Sequence, residues 1–151
     1  MKLKFKKLNA HAITPTYGSD GAGCFDLYAC LPDPHQSVWP TVGGAPLKVR
    51  TGIAVEVPPG HVMLMFSRSG HGVNYAIRLA NCVGVIDSDY RGEIIIALMR
   101  DSYTSSGDIS VRHGDRIAQA IILPYPRVEL EEVIDLSETG RGVGGFGSTG
   151  R

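Results

Sequence analysis

Four short segments of this 151-residue chain place charged or amide side chains beside glycine in a way that suits phosphate chemistry. The first is Gly23-Cys24-Phe25-Asp26-Leu27-Tyr28-Ala29. An aspartate inside an apolar strand is costly unless it is paired or linked to a metal. The second is Ser67-Arg68-Ser69-Gly70, a fork-shaped cation, a hydroxyl and a turn whose N–H groups can approach an anion. The third runs from Asn81 through Gly84-Val85-Ile86-Asp87-Ser88-Asp89-Tyr90-Arg91-Gly92. It reads as a hairpin with an amide at one end and two carboxylates and an aromatic at its tip. Either Asp87 or Asp89 could orient a water molecule, the nucleophile that phosphoryl chemistry needs. The fourth is Gly114-Asp115-Arg116-Ile117-Ala118-Gln119.

A fifth segment closes the chain: Thr139-Gly140-Arg141-Gly142-Val143-Gly144-Gly145-Phe146-Gly147-Ser148-Thr149-Gly150-Arg151. Glycine loses the most backbone entropy on ordering and brings nothing to bury, so such a tail stays loose until a ligand holds it. Its phenyl ring, guanidinium and hydroxyls would close over a base and a polyphosphate. Gly142 to Gly147 also satisfies a GxGxxG pattern, but no helix, or strand with lysine, follows it, so the dinucleotide and kinase readings are declined. The histidines lack HxxxH or HExxH spacing and are expected on loops or the surface.

The elements that must position these groups are strands. Val49, Thr51, Ile53, Val55 and Val57 alternate with Arg50, Gly52, Ala54 and Glu56. His61–Phe66, Glu93–Leu98 and Ile117–Leu123 read as further strands, punctuated by Pro58-Pro59-Gly60, Arg91-Gly92 and His113-Gly114. No capped amphipathic helix of useful length stands out. Many short strands with turn signals between them predict an all-β sandwich, jelly roll or barrel. Lys2, Lys4 and Lys6 on one face of the first strand suit an edge guarded by charge. Leu31 to Pro46 reads as a loop anchored by Trp39.

Length and composition bound the class. The chain suits one domain with a real core. Fifteen basic and fifteen acidic residues leave no net charge, so there is no electrostatic footprint for nucleic acid or an anionic membrane. Three cysteines without CxxC spacing suggest a reducing compartment. The basic N-terminus leads into no apolar stretch of a signal peptide, and the apolar run Ile94–Met99 is too short to span a bilayer. A cytoplasmic protein is expected, or one of the host cytoplasm or nucleus if viral, and not a secreted one.

In their order and spacing, the five segments together resemble the five motifs of the trimeric dUTPases, over almost the whole chain from Asp26 to Thr149. The third and fifth motifs are the most specific. This resemblance implies an all-β, jelly-roll-like fold of the dUTPase β-clip kind over residues 1–137. It implies a glycine-rich C-terminal lid over 138–151, and a homotrimer with sites shared between subunits. It further implies hydrolysis of dUTP to dUMP and pyrophosphate, which keeps uracil out of DNA and supplies dUMP for thymidylate synthesis. On the matching positions, Asp87 activates the water and Asp26 helps hold Mg²⁺ through coordinated water. Arg68, Ser69, Gly70 and Gln119 bind phosphates, and Arg116 braces the site. Asn81 and the main chain of Val85 and Ile86 read uracil, and Tyr90 packs against the deoxyribose. Phe146 stacks on the base, and Arg141, Ser148 and Thr149 reach the γ-phosphate. Cys24, His71, Asn74 and the long Leu31–Pro46 loop depart from the family pattern without removing a catalytic group. The alternatives are a dCTP deaminase of the same fold, which needs a different base-site carboxylate, and a regulatory protein that binds a partner through the long loop.

Overall fold

In the computed structural model, which describes residues 1–102 and 109–145, eleven strands and one short helix are present among those residues. In chain order they are β1 (Lys4–Lys7), β2 (Thr16–Tyr17), β3 (Phe25–Tyr28), β4 (Ser37–Val38), β5 (Leu47–Glu56), β6 (His61–Phe66), α1 (Ser69–Tyr75), β7 (Ile77–Leu79), β8 (Gly84–Ile86), β9 (Glu93–Arg100), β10 (Val111–Arg112) and β11 (Arg116–Pro124). One sheet has the order β1-β5-β9-β7, a second β2-β3-β11-β6-β8, and β10 pairs with β4 in a small third. These strands pair antiparallel throughout. The fold is all-β, as the strand pattern predicts, and jelly-roll-like, as the family resemblance implies.

One core joins the two larger sheets. Val49, Ile53, Ile77, Leu79, Ile94, Ile96 and Leu98 come from the first, and Leu27, Met63, Ile117 and Ala120 from the second. Strand β9 keeps its period-2 pattern, with Ile94, Ile96, Leu98 and Arg100 buried. Strand β5 does not. Its register against β9 shifts between Arg50 and Ala54, and residues 51–55 are all buried. Gly52 makes that bulge with φ +66°, and a Cβ there would stand 2.7 Å from Ala12 Cβ, so this position needs glycine on both counts.

Three expectations change. Ser69 and Gly70 open a seven-residue helix where a turn was expected. With two glycines, no buried residue and no side-chain cap, α1 gives neither of the signals that mark a helix in sequence. The Leu31–Pro46 loop contains β4 and a bridge from Val42 to Arg100. Trp39 does not anchor it: that side chain is 57% exposed. By contrast β1 is an edge strand, and its Lys4 bonds Glu56 at 2.9 Å, as the lysine face suggests.

Candidate functional site

The second sheet carries four of the five motifs, and its register decides which of them meet. Asp26 on β3 lies across from Gln119 on β11, and Gln119 lies across from Phe66 on β6. Two residues beyond Phe66 stands Arg68, the N-cap of α1. Asp26 therefore receives two guanidiniums. Arg68 Nε is 3.3 Å from Oδ1, and Arg116 Nη1 donates to Oδ2 at 3.2 Å. Asp26 is only 9% exposed, and this pairing is what makes a buried carboxylate tolerable. Arg116 is thus a brace, the role the sequence suggests for it.

Gln119 completes the cluster. Its Nε2 donates to the Ser67 carbonyl at 3.1 Å, and Ser67 Oγ accepts from the Leu79 amide at 2.9 Å. These bonds fix the backbone just before Arg68. Arg68 Nη1 also donates to the Arg116 carbonyl at 3.3 Å. Ser69 and Gly70 follow in the first helical turn, where N–H groups have no partner within the helix. A Cβ added to Gly70 would meet nothing within 4 Å, and its φ lies outside the left-handed region. Glycine here keeps space open beside Arg68 without being needed by the backbone.

His71 stands beside the cluster. Its Nδ1 is buried with no hydrogen-bond partner among the described residues. Burial, followed by the charge of Arg68, lowers its pKa below the ordinary value, against an opposing effect of Asp115.

The residues expected to read the base and activate water lie on the outer strand of the same sheet and in the turn that follows it. In the order β2-β3-β11-β6-β8, β8 is an edge, so the side of its main chain away from β6 is unpaired within the sheet. Val85 and Ile86 lie on that edge, paired to Leu64 and Met63. Gly84 brings the Asn81 amide to its start: a Cβ there would stand 3.7 Å from Asn81 Nδ2 and 3.2 Å from Met65 Cβ. Beyond Ile86 the chain turns, with the Tyr90 amide bonded to the Asp87 carbonyl at 3.2 Å. Arg91 Nη1 ties the turn by bonds to the Ser88 and Tyr90 carbonyls at 2.7 and 2.9 Å. The Asp87 side chain is exposed at this tip, and it has no hydrogen bond or ion pair among the described residues.

Within one chain these two groups do not converge. Ile86 is level with Met63, so Asp87 steps back toward the start of β6 while Arg68 lies past its end. Six strand positions at about 3.3 Å each separate the two levels by roughly 20 Å. A water-activating carboxylate and a phosphate cradle must serve one phosphorus within a few ångströms. The remaining motif is also apart. Arg141 Nε donates to the Gly144 carbonyl at 2.8 Å in a local turn, on an exposed segment after the last strand. Phe146, Ser148 and Thr149 lie outside the described residues.

The donor set around Asp26 bears on the metal. No cluster of three His, Cys, Asp or Glu side chains among the described residues is arranged to hold an ion. Two arginines already balance Asp26, so it attracts no bare dication. Its remaining lone pairs can still accept from waters of a hydrated ion that arrives with a polyphosphate. No helix among the described residues is long and apolar enough to cross a membrane.

Known proteins resemble this chain along nearly its whole length. The dUTPase family model matches residues 10–150. A deoxyuridine 5'-triphosphate nucleotidohydrolase of Anaplasma marginale is 45% identical over 136 residues, covering 90% of this chain and 88% of its own. Its counterpart in Nautilia profundicola is 41% identical over 151 residues, covering the whole of both. Among solved structures, the dUTPase of Staphylococcus bacteriophage 80alpha with dUPNHPP superposes with a TM-score of 0.84 at 26% identity, over 99% of each chain. Motifs laid across one jelly-roll sheet, and matches that run nearly end to end, lead to one conclusion: this chain belongs to the dUTPase family of dUTP-hydrolysing enzymes.

Proposed function

We propose that this enzyme cleaves dUTP to dUMP and pyrophosphate by in-line attack of water on the α-phosphorus, at sites completed between copies of the chain. The observation that supports it best is the division of negative charge. Asp26 is held by two arginines, whereas Asp87 sits exposed at the hairpin tip with no partner for its carboxylate among the described residues. Asp87 is then the base: it takes a proton from the water as the oxygen bonds phosphorus, and the bond to the bridging oxygen toward the β-phosphate breaks. Pyrophosphate carries away that bonding pair. Asp89 shares the tip, and Asp87 is preferred because it fills the family's catalytic position.

Arg68, with Ser69 and the open space at Gly70, would grip the phosphates, and Gln119 would add its second amide hydrogen. The metal is best written as part of the substrate, Mg²⁺ bound to dUTP, with Asp26 reaching it through coordinated water. The ion would offset phosphate charge. A homotrimer would bring Asp87 of one copy to the Asp26–Arg68 cluster of another, closing the separation along the sheet. The free backbone edge at Val85 and Ile86, with Asn81, would pair with uracil. Hydrogen bonds of this kind reject an analogue that mispairs them, such as cytosine, by about 10⁴–10⁵-fold. Tyr90 would wall the deoxyribose. The tail from 138 onward would close with Phe146 on the base and Arg141, Ser148 and Thr149 on the γ-phosphate, excluding bulk water. In the cell the reaction would limit uracil in DNA and supply dUMP.

Incubation with dUTP and Mg²⁺ should release pyrophosphate and dUMP in equal amounts. Intact dUTP after prolonged incubation would refute the proposal. Ammonia release from dCTP would favour the deaminase reading instead.

A further inference from the structure

Tyr90 is 42% exposed, so burial cannot fix its ring. Two contacts do. Its hydroxyl donates to the main-chain carbonyl of Glu93 at 3.0 Å. Its ring lies over Gly92, where an added Cβ would stand 3.0 Å from Cε2, 2.5 Å from Cζ and closer still to the hydroxyl oxygen. All three of the nearest atoms belong to Tyr90. Gly92 does not occupy the left-handed region, so the turn itself would admit alanine. The ring, and not the backbone, requires glycine there.

The carbonyl that receives the hydroxyl is itself anchored. The Glu93 side chain, 8% exposed, pairs with Arg50, and its Oε1 accepts from the Gly52 amide at 2.7 Å in the β5 bulge. The first sheet thus holds one end of the phenol while Gly92 supports its face.

We propose that Gly92 and the Glu93 carbonyl form a seat that sets the plane of Tyr90, which makes Gly92 a specificity-determining position for 2′-deoxyribose over ribose. The inference rests on the reading of Tyr90 as the sugar's wall. Rejecting one added hydroxyl by shape is worth at most about 10²-fold, and a wall displaced by an ångström loses most of it. A methyl at Gly92 would force that displacement. Gly92 is a positioning residue, acting only through the ring.

The test is kcat/KM for dUTP and for UTP in the intact enzyme and in Gly92→Ala, Tyr90→Phe, Tyr90→Ala and Gly92→Ala/Tyr90→Ala. Gly92→Ala should raise the UTP-to-dUTP ratio about tenfold, mainly by raising the UTP value as the rejection of the 2′-hydroxyl is lost. Tyr90→Phe, which keeps the ring and loses the bond to Glu93, should raise it by a smaller factor. Once the ring is gone, Gly92→Ala should change the ratio no further, since the two positions are coupled. A Gly92→Ala ratio equal to the parent's, with Tyr90→Ala shifted, would overturn the seat. An unshifted Tyr90→Ala would overturn the sugar-wall reading beneath it. Should Gly92→Ala fail to fold, recovery of the fold in the double variant supports the clash with the ring, and no recovery refutes it.

Discussion

The two carboxylates at the heart of the proposal sit in opposite surroundings. Asp26 is buried on a central strand between two arginines, one of them fixed by a backbone that Gln119 and Ser67 hold. Asp87 is exposed on a hairpin that is internally tied through Arg91 and Tyr90, yet its own carboxylate has no partner among the described residues. The first region is complete within one chain because a buried charge has to be answered by the fold that buries it. The second is rigid but unfinished, because water satisfies an exposed carboxylate until substrate arrives. On the proposed function, the first region serves stability as well as phosphate binding, and the second serves turnover alone.

The largest effects should fall on turnover. Asp87→Asn removes the proton acceptor and should lower kcat by about 10²–10⁴-fold while the protein still binds dUTP. Arg68→Ala should also be nearly inactive. If the site is shared, the two dead variants complement each other. Unfolded and refolded together in equal amounts, they should leave about a quarter of the sites with Asp87 from one chain and Arg68 from another. Recovered pyrophosphate release in the mixture, and none in either variant refolded alone, is the expected result. No recovery would mean that each chain builds its own site.

Stability should respond in the reverse order. Asp26→Asn leaves two guanidiniums without their anion and should cost about 2 kcal/mol, less than a fully buried pair because Arg116 is half exposed. Asp87→Asn should melt like the parent. Urea midpoints at one fixed protein concentration check both; equal midpoints for Asp26→Asn and the parent would dissolve the contrast.

The same contrast explains what could be read in the sequence. Asp26 stands out because a carboxylate inside Phe25-Asp26-Leu27 demands a partner, and Arg116 was the cation expected to brace the site. Four strands were visible as alternation or apolar runs, including His61–Phe66 with both its ends. Helix α1 was not visible, since its two glycines disfavour a helix and it has neither a buried face nor a side-chain cap to mark it. The β5 bulge was also hidden: Gly52 interrupts an alternation, but only the Glu93 side chain from another strand shows why. The resemblance gives Gln119 a phosphate contact, but its bond to Ser67 depends on a register no local pattern contains. Asp87 could be separated from Asp89 only by resemblance, because both are exposed at one tip. The seat beneath Tyr90 left a signal in Gly92, indistinguishable in sequence from an ordinary turn glycine.

His71 gives the smallest and most local test. It borders the self-contained region, half-buried near Arg68, where an apolar residue is common in the family. Burial first, then the Arg68 charge, lowers its pKa below the usual 6.5, and Asp115 only partly opposes them. The folded protein therefore takes up this proton less readily than the unfolded chain. Above pH 6.5 both states hold the neutral ring, and the contribution to stability is fully present. As pH falls through 6.5, the unfolded chain binds the proton first, so the folded state loses ground until it too is protonated at lower pH. The melting temperature should drop between pH 7.5 and 5, and His71→Leu, which fills the site without a titrating ring, should drop less, by a few degrees at most. Identical slopes for the two proteins would assign the pH sensitivity to other groups. A shallower slope for the leucine variant would place it in the cluster around Arg68 and leave the Asp87 hairpin untouched.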